Sequence, residues 1–170
     1  MTTEGDFSPK VVVTSRSFAK SAVLRKELLR VFPNSIFFAD HHQKLLGKKI
    51  TEFIGDADAA IIGVETIDDS VLKHTTKLKI ISKYGVGLDN IDLESLKKRD
   101  IFLGWKGGTN QRSVAELTLC FMLGLCRNVF SSSFKLKKLE WEKDGGHQLS
   151  GKTVGIVGCG HTGSDVVRLL

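Results

Sequence analysis

Short apolar, β-branched runs alternate with amphipathic stretches along the first hundred residues. The runs are KVVVTS (10–15), SIFFA (35–39), DAAIIGV (58–64), LKIISKY (78–84) and IFLGW (101–105). Each is short enough for a strand and is bounded by turn-forming residues. Helical patterns fill the gaps. One is capped by Ser15 or Ser17 and runs to about Phe32, where Pro33 and Asn34 break it. Others cover about Gln43 to Phe53, Asp68 or Asp69 to near His74, and Asp92 to about Arg99. The third run is apolar on both alternating faces, as expected of a strand covered by helices on both sides. Strands separated by helices pair in parallel through right-handed crossovers. Residues 1–105 are therefore expected to form a five-stranded, doubly wound α/β domain of flavodoxin type.

The pattern changes at the glycine-rich GWKGGTN (104–110), the natural domain boundary. A long apolar helix follows over about 112–128, then a charged amphipathic helix to about Lys143. The loop DGGHQLSGK leads into KTVGIVGCGHTGSDVVRLL (152–170). Lys152 to Val157 reads as a short buried strand, Gly158, Gly160 and Gly163 punctuate a turn, and a helix begins. Glycine triplets are common, but this one follows a strand and precedes a helix. That is how a Rossmann dinucleotide-binding βαβ unit opens. Gly158 permits the sharp turn, Gly160 lets the backbone approach a pyrophosphate, and Gly163 lets helix and strand pack closely. The helix start supplies unpaired N–H groups. A plain strand-to-helix turn is the alternative. Residues 106–170 are thus expected to begin a nucleotide-binding domain that stops after its first strand and helix start.

Composition narrows the class. With 41% hydrophobic and 26% charged residues and two prolines, the chain is globular rather than disordered. The longest apolar stretch, Val114–Cys126, is interrupted by Glu116 and Thr118 and is shorter than the roughly 18 residues of a membrane span. The start, MTTEGDFSPK, lacks the basic and apolar segments of a signal peptide. A cytoplasmic protein with no membrane partner is expected. Cys120, Cys126 and Cys159 form no C-x-x-C pair and are read as reduced core residues. The net charge of +6 is spread along the chain. Its densest patch, FKLKKLEWEK (134–143), lacks the aromatic interleaving of an RNA-binding surface, so no nucleic-acid partner is expected.

A second candidate site is SKYGVGLDNID (82–92). Gly85, Val86 and Gly87 stand at the carboxyl end of the fourth strand, where open α/β sheets bind ligands. Their backbone N–H groups could form an anion-binding nest. The alternative is a simple turn before a helix capped by Asp89, Asn90 or Asp92. Other polar residues read more plainly. His41 and His42 would point different ways, so no metal site is expected. His74 and His147 lie in turns without a partner, and Asp56 and Asp58 are turn formers at a strand start. Glu116, on the apolar helix, either pairs with Arg112 or faces the cofactor cleft.

Taken together, IISKYGVGLDNIDL, TNQRSVAELTLCFMLGLCR and LSGKTVGIVGCGHTGSDV resemble, in order and spacing, the D-isomer-specific 2-hydroxyacid dehydrogenases, the family of phosphoglycerate dehydrogenase. The resemblance runs from about residue 60 to the end. It implies a substrate domain over 1–105, an NAD-binding domain from 106, and hydride transfer between a small anionic 2-hydroxy or 2-oxo acid and NAD. NADP is not excluded. Gly85, Val86 and Gly87 would hold the substrate carboxylate, with Val86 also near the nicotinamide. His161 and Thr162 would contact the pyrophosphate through main-chain atoms, alongside Gly158, Gly160 and Gly163. Asn110 would lie at the domain hinge beside the cofactor. The 112–128 helix would pack into an interdomain or homodimer interface.

In that family the proton-moving histidine, its carboxylate and the arginine that polarises the carbonyl all lie beyond the glycine fingerprint. The resemblance therefore places no catalytic residue in these 170 positions and predicts no turnover by the chain alone. Two departures bear on the substrate. Phosphoglycerate enzymes commonly carry an arginine and a serine where this chain has Ile62, Gly63, Val64 and Glu65, and a carboxylate there is expected to repel phosphate. The proline usual before the hinge asparagine is missing from GWKGGTN. Two other readings stay open: a non-catalytic remnant serving dimerisation or regulation, and an unrelated flavodoxin-like receiver or ligand-binding domain with a tail.

Overall fold

A computed structural model describes residues 9–40, 45–143 and 145–170. The chain divides into two compact units, Met1–Lys106 and Gly107–Leu170.

The first unit carries β1 (Val11–Val13), α1 (Arg16–Lys20), α2 (Ala22–Val31), β2 (Ile36–Phe38), α3 (Lys48–Ile54), β3 (Ala59–Ile62), α4 (Asp69–Leu72), β4 (Ile80–Lys83), α5 (Leu93–Lys98) and β5 (Phe102–Gly104). Its strands form one sheet in the order β2-β1-β3-β4-β5. Every pairing is parallel, with Val12 beside both Phe37 and Ala60, and Ile81 beside Ala60 and Leu103. This is the flavodoxin-like order, which reverses between β1 and β3. The apolar runs explain the core. Val12, Ile62 and Ile81 from the sheet meet Ile50 and Ile54 of α3, Leu72 of α4 and Leu96 of α5, each at most 2% exposed. Full burial of each such side chain contributes roughly 1.5–3 kcal/mol.

Local chemistry sets the helix starts. Asp68 accepts from the Val71 N–H at 3.1 Å and Asp92 from the Ser95 N–H at 3.0 Å, so both cap their helices. The single helix expected through Phe32 is two. Ser21 adopts extended backbone (φ −77°, ψ 110°), its own N–H bonding to the Phe18 carbonyl and its hydroxyl accepting from the Leu24 N–H at 3.4 Å. A serine that caps a new helix has ended the old one. Asp58 accepts from the Lys10 N–H at 2.8 Å, and Asp56 pairs with the Lys10 ammonium. Both aspartates tie the segment before β3 to Lys10 at the start of β1. His41 and His42 lie outside the described residues.

The second unit carries α6 (Gln111–Cys126), α7 (Val129–Lys137) and α8 (His161–Leu169). The charged helix expected to reach about Lys143 ends at Lys137, where Leu139 turns into positive φ (62°). The strand expected over Lys152–Val157 has no ladder partner among the described residues, and Val157 is fully exposed. An apolar segment becomes a strand only when a neighbour takes up its N–H and C=O groups. Cys120 and Cys159 are exposed and Cys126 is partly buried, which corrects the expectation that all three sit in a core; all three are free thiols. Among the described residues no single helix is long and apolar enough to cross a membrane.

Candidate functional site

Two turns carry the features picked out in the sequence, one in each unit. In the first unit β4 ends at Lys83 and the chain turns through Gly85, Val86 and Gly87. Gly85 has a φ of 138°, a conformation that costs glycine little and other residues much. Among the described residues no acceptor takes up the N–H groups of these three residues. The turn is held from several sides. The Tyr84 N–H donates to the Ile62 carbonyl at 2.8 Å, and its ring packs edge-on to Phe18 at 5.4 Å. The Trp105 indole Nε1–H donates to the Val86 carbonyl at 3.0 Å. Asn90 accepts from the Lys83 ammonium at 2.7 Å and donates to the Glu65 carbonyl at 2.5 Å. A turn fixed on its carbonyl side with free amides on the other side presents donors to an anionic oxygen.

The same sheet edge holds a cavity of about 320 Å³, lined in part by Ser15, Arg16, Ser17, Lys20, Glu65 and Tyr84. It lies at the carboxyl ends of β1 and β3, the point where strand order reverses and where open α/β sheets bind ligands. Glu65 is buried, and its Oε2 accepts from the Gly63 N–H at 2.7 Å and the Thr14 hydroxyl at 3.0 Å. Burial holds the Lys83 ammonium below the usual lysine range, with the charges of Glu65 and Asp89 pulling the other way. Glu65 therefore braces the sheet edge and has a cation within reach.

In the second unit the glycine turn runs into α8. Gly158 takes a φ of 88°. A Cβ added at Gly163 would stand 2.2 Å from the Gly158 carbonyl oxygen, so only glycine lets the helix close on the turn. No heavy atom lies within 4 Å of where a Gly160 Cβ would be, which leaves open space above the turn. The Ser164 N–H bonds to the Gly160 carbonyl at 2.9 Å. The N–H groups of His161, Thr162 and Gly163 before it have no acceptor among the described residues, and no side chain caps the helix. The Ser164 hydroxyl donates back to the Cys159 carbonyl at 3.0 Å and closes the turn. Open amides at a helix start favour an anionic group.

The His161 ring has a structural neighbour. A Cβ on Gly108, itself at φ 71°, would fall 2.9 Å from the His161 Cγ and Nδ1, so the 107–110 loop lies against the start of α8. Asn110, exposed, caps α6 through its carbonyl, which accepts from the Val114 N–H at 3.1 Å. Asp165 is buried and binds Arg112 of α6, with Nη2 to Oδ1 at 3.1 Å. Arg112 Nε lies 3.1 Å from Oδ2 but off line for a hydrogen bond, which leaves that oxygen in charge contact only. Arg168 adds a second cation at 3.4 Å. Arg112 thus pairs with Asp165 and not with Glu116, which is exposed.

Sequence reasoning missed Arg16, Lys83, Asn90, Trp105 and Asp165. Arg16 follows the first strand directly and Trp105 ends the fifth, so position at the sheet edge was the available signal. Asp165 gave none, because its partner stands 53 positions away.

A doubly wound parallel α/β unit with an open-amide turn at its strand ends is thus followed in the chain by a glycine turn that opens a helix. The chain belongs to the D-isomer-specific 2-hydroxyacid dehydrogenase family, whose catalytic-domain model matches residues 12–167. It is 36% identical over 127 residues to the D-3-phosphoglycerate dehydrogenase of Methanocaldococcus jannaschii, covering 73% of this chain and 24% of that protein. It is 30% identical over 148 residues to the hydroxypyruvate reductase of Thermotoga maritima, covering 85% of this chain and 48% of that one. The NAD+-bound 3-phosphoglycerate dehydrogenase of Entamoeba histolytica matches in structure with a TM-score of 0.75 and 29% identity, over 95% of this chain and 50% of that one. The chain thus spans between a quarter and a half of the length of these relatives.

Proposed function

We propose that the chain supplies the substrate-binding domain (1–105) and the opening of the NAD-binding domain (106–170) of an NAD-dependent D-2-hydroxyacid dehydrogenase. The observation that carries the reading is the turn at 158–163. The close approach of Gly163 to Gly158 and the open space over Gly160 leave room for a pyrophosphate, and the amides of His161, Thr162 and Gly163 face no protein acceptor. These residues fit a dinucleotide. Held by the amides of His161, Thr162 and Gly163, a bound NAD would supply the hydride acceptor for the hydroxylated carbon of the substrate.

The chain's own residues bind and orient. The amides of Gly85, Val86 and Gly87 hold the carboxylate of a 2-hydroxy or 2-oxo acid, and Trp105 and Asn90 keep that turn in place. The His161 ring steadies the 107–110 loop, and Asn110, at the start of α6, stands beside the cofactor. Among the described residues His74, His147 and His161 have no carboxylate partner. On this reading the described residues bind and orient ligands, and turnover is tested separately.

Calorimetry with NAD, paired with a turnover assay on D-lactate and D-glycerate, tests the reading. Binding that is lost in Gly163→Val, with no NADH formed by either protein, supports it. NAD binding unaffected by Gly163→Val contradicts it.

A second reading has an observation of its own. Leu117, Phe121 and Leu125 of α6 are 52%, 49% and 69% exposed, an apolar face suited to homodimer formation. A monomer by light scattering at high concentration counts against that pairing role.

A further inference from the structure

The cavity at the β1–β3 switch point carries a positive surplus. Among the described residues Arg16 and Lys20 have no carboxylate partner, although both line the cavity. Its one carboxylate, Glu65, is engaged by the Gly63 amide and the Thr14 hydroxyl. The remaining polar lining, Ser15 and Ser17, offers hydroxyls. Arg16 itself is half-buried, which strengthens its attraction for an anion relative to a fully hydrated side chain.

The cavity also borders the GVG turn. Tyr84 is on its wall and is covalently joined to Gly85, and the Phe18 ring of α1 holds Tyr84 in place. A ligand whose carboxylate rests on the 85–87 amides has this cavity beside it. Guanidinium groups recognise phosphoryl and carboxyl groups through paired N–H donors.

We propose that Arg16, with Ser17 and Lys20, is the specificity-determining group of this chain and reads a second oxyanion at the far end of the substrate. The inference rests on the assignment of 85–87 to the substrate carboxylate. It reverses the expectation drawn from Glu65, since the sheet edge favours a doubly anionic 2-hydroxy acid and does not repel it.

Titration of the ¹⁵N-labelled chain with D-glycerate, D-3-phosphoglycerate, D-malate and inorganic phosphate tests the inference. The dianionic acids are expected to move the amides of 15–17 as well as 85–87, while D-glycerate moves only 85–87. Arg16→Gln weakens the preferred dianion about tenfold and changes D-glycerate by less than about twofold. Arg16→Lys recovers part of the loss, and Lys20→Gln has a smaller effect. Whichever of D-3-phosphoglycerate and D-malate binds tighter identifies the second group as phosphoryl or carboxyl. The Arg16 side chain makes no hydrogen bond among the described residues, and an unchanged circular dichroism spectrum confirms that its variants fold. If Arg16→Gln leaves dianion affinity intact while 85–87 still respond, the inference is wrong and the carboxylate assignment survives. If no acid moves 85–87, the carboxylate assignment fails. Inorganic phosphate then decides the cavity: a shift at 15–17 abolished by Arg16→Gln upholds the anion site, and no shift overturns it.

Discussion

The two units are built from the same alternation of apolar and polar segments, yet only the first encloses a full core. In Met1–Lys106 each apolar strand has neighbours, and Ile62 and Ile81 are completely buried. In Gly107–Leu170 the apolar segment 152–157 makes no ladder, and buried hydrophobic side chains are limited to Ala115 and Val166 among the described residues. Leu123 and Leu125 of α6, whose second half is almost wholly apolar, stay 44% and 69% exposed. A hydrophobic pattern encodes a demand for partners; it does not supply them. What the second unit does hold firmly is its glycine turn, because that geometry depends on contacts between residues five apart and not on a sheet.

Substitutions should separate the units by size of effect. The largest belongs to the first core. Ile62→Ala is expected to destabilise the chain by about 2–5 kcal/mol in urea unfolding, while Leu125→Ala costs less than about 0.5 kcal/mol. Equal costs would mean that α6 is covered in solution. Next comes Gly163→Ala, whose Cβ cannot coexist with the Gly158 carbonyl. It should cost about 1–3 kcal/mol and disturb the amides of 158–164 first, read by hydrogen exchange.

Asp165→Ala follows. Its carboxylate is buried, but Arg112 and Arg168 are more than half exposed and regain water when it is removed. About 1–2 kcal/mol is expected, confined to the second unit, and Arg112→Ala should remove less. The smallest effects are in the caps. Hydrogen bonds from Ser70 and Ser95 hold the Asp68 and Asp92 carboxyls below the usual carboxylate range. A lowered pKa in the folded state means that the unfolded chain takes up the proton more readily. Their contribution is therefore complete above the ordinary aspartate value of about 4 and is lost as pH falls through the folded value. Thermal midpoints of the wild type and Asp92→Asn should converge as the pH is lowered from 6 to about 3.

Much of the first unit was legible from residue order alone. KVVVTS, DAAIIGV and LKIISKY each contain the strand they suggested, because a short apolar run between helices has few other uses. The split at Ser21 was hidden, since a serine inside a helical pattern announces a cap only when its backbone has turned extended. The burial of Glu65 was hidden for a similar reason. Its surroundings, Thr14 and the Gly63 amide, come from folding β1 against β3, and no local window contains all of them. The glycine turn was readable because every part of it lies within 158–164, whereas Arg112 and Asp165 meet only through the packing of α6 on α8.

Hydrogen–deuterium exchange of the chain, alone and with NAD or D-glycerate, probes the central claim most directly: two open-amide turns, one in each unit, bind different anions. NAD should slow exchange most at 158–163, reaching no further into the first turn than Val86, and D-glycerate should slow exchange at 85–87 and leave 158–163 unchanged. Protection of neither turn, or protection of 158–163 by D-glycerate, would contradict the assignment.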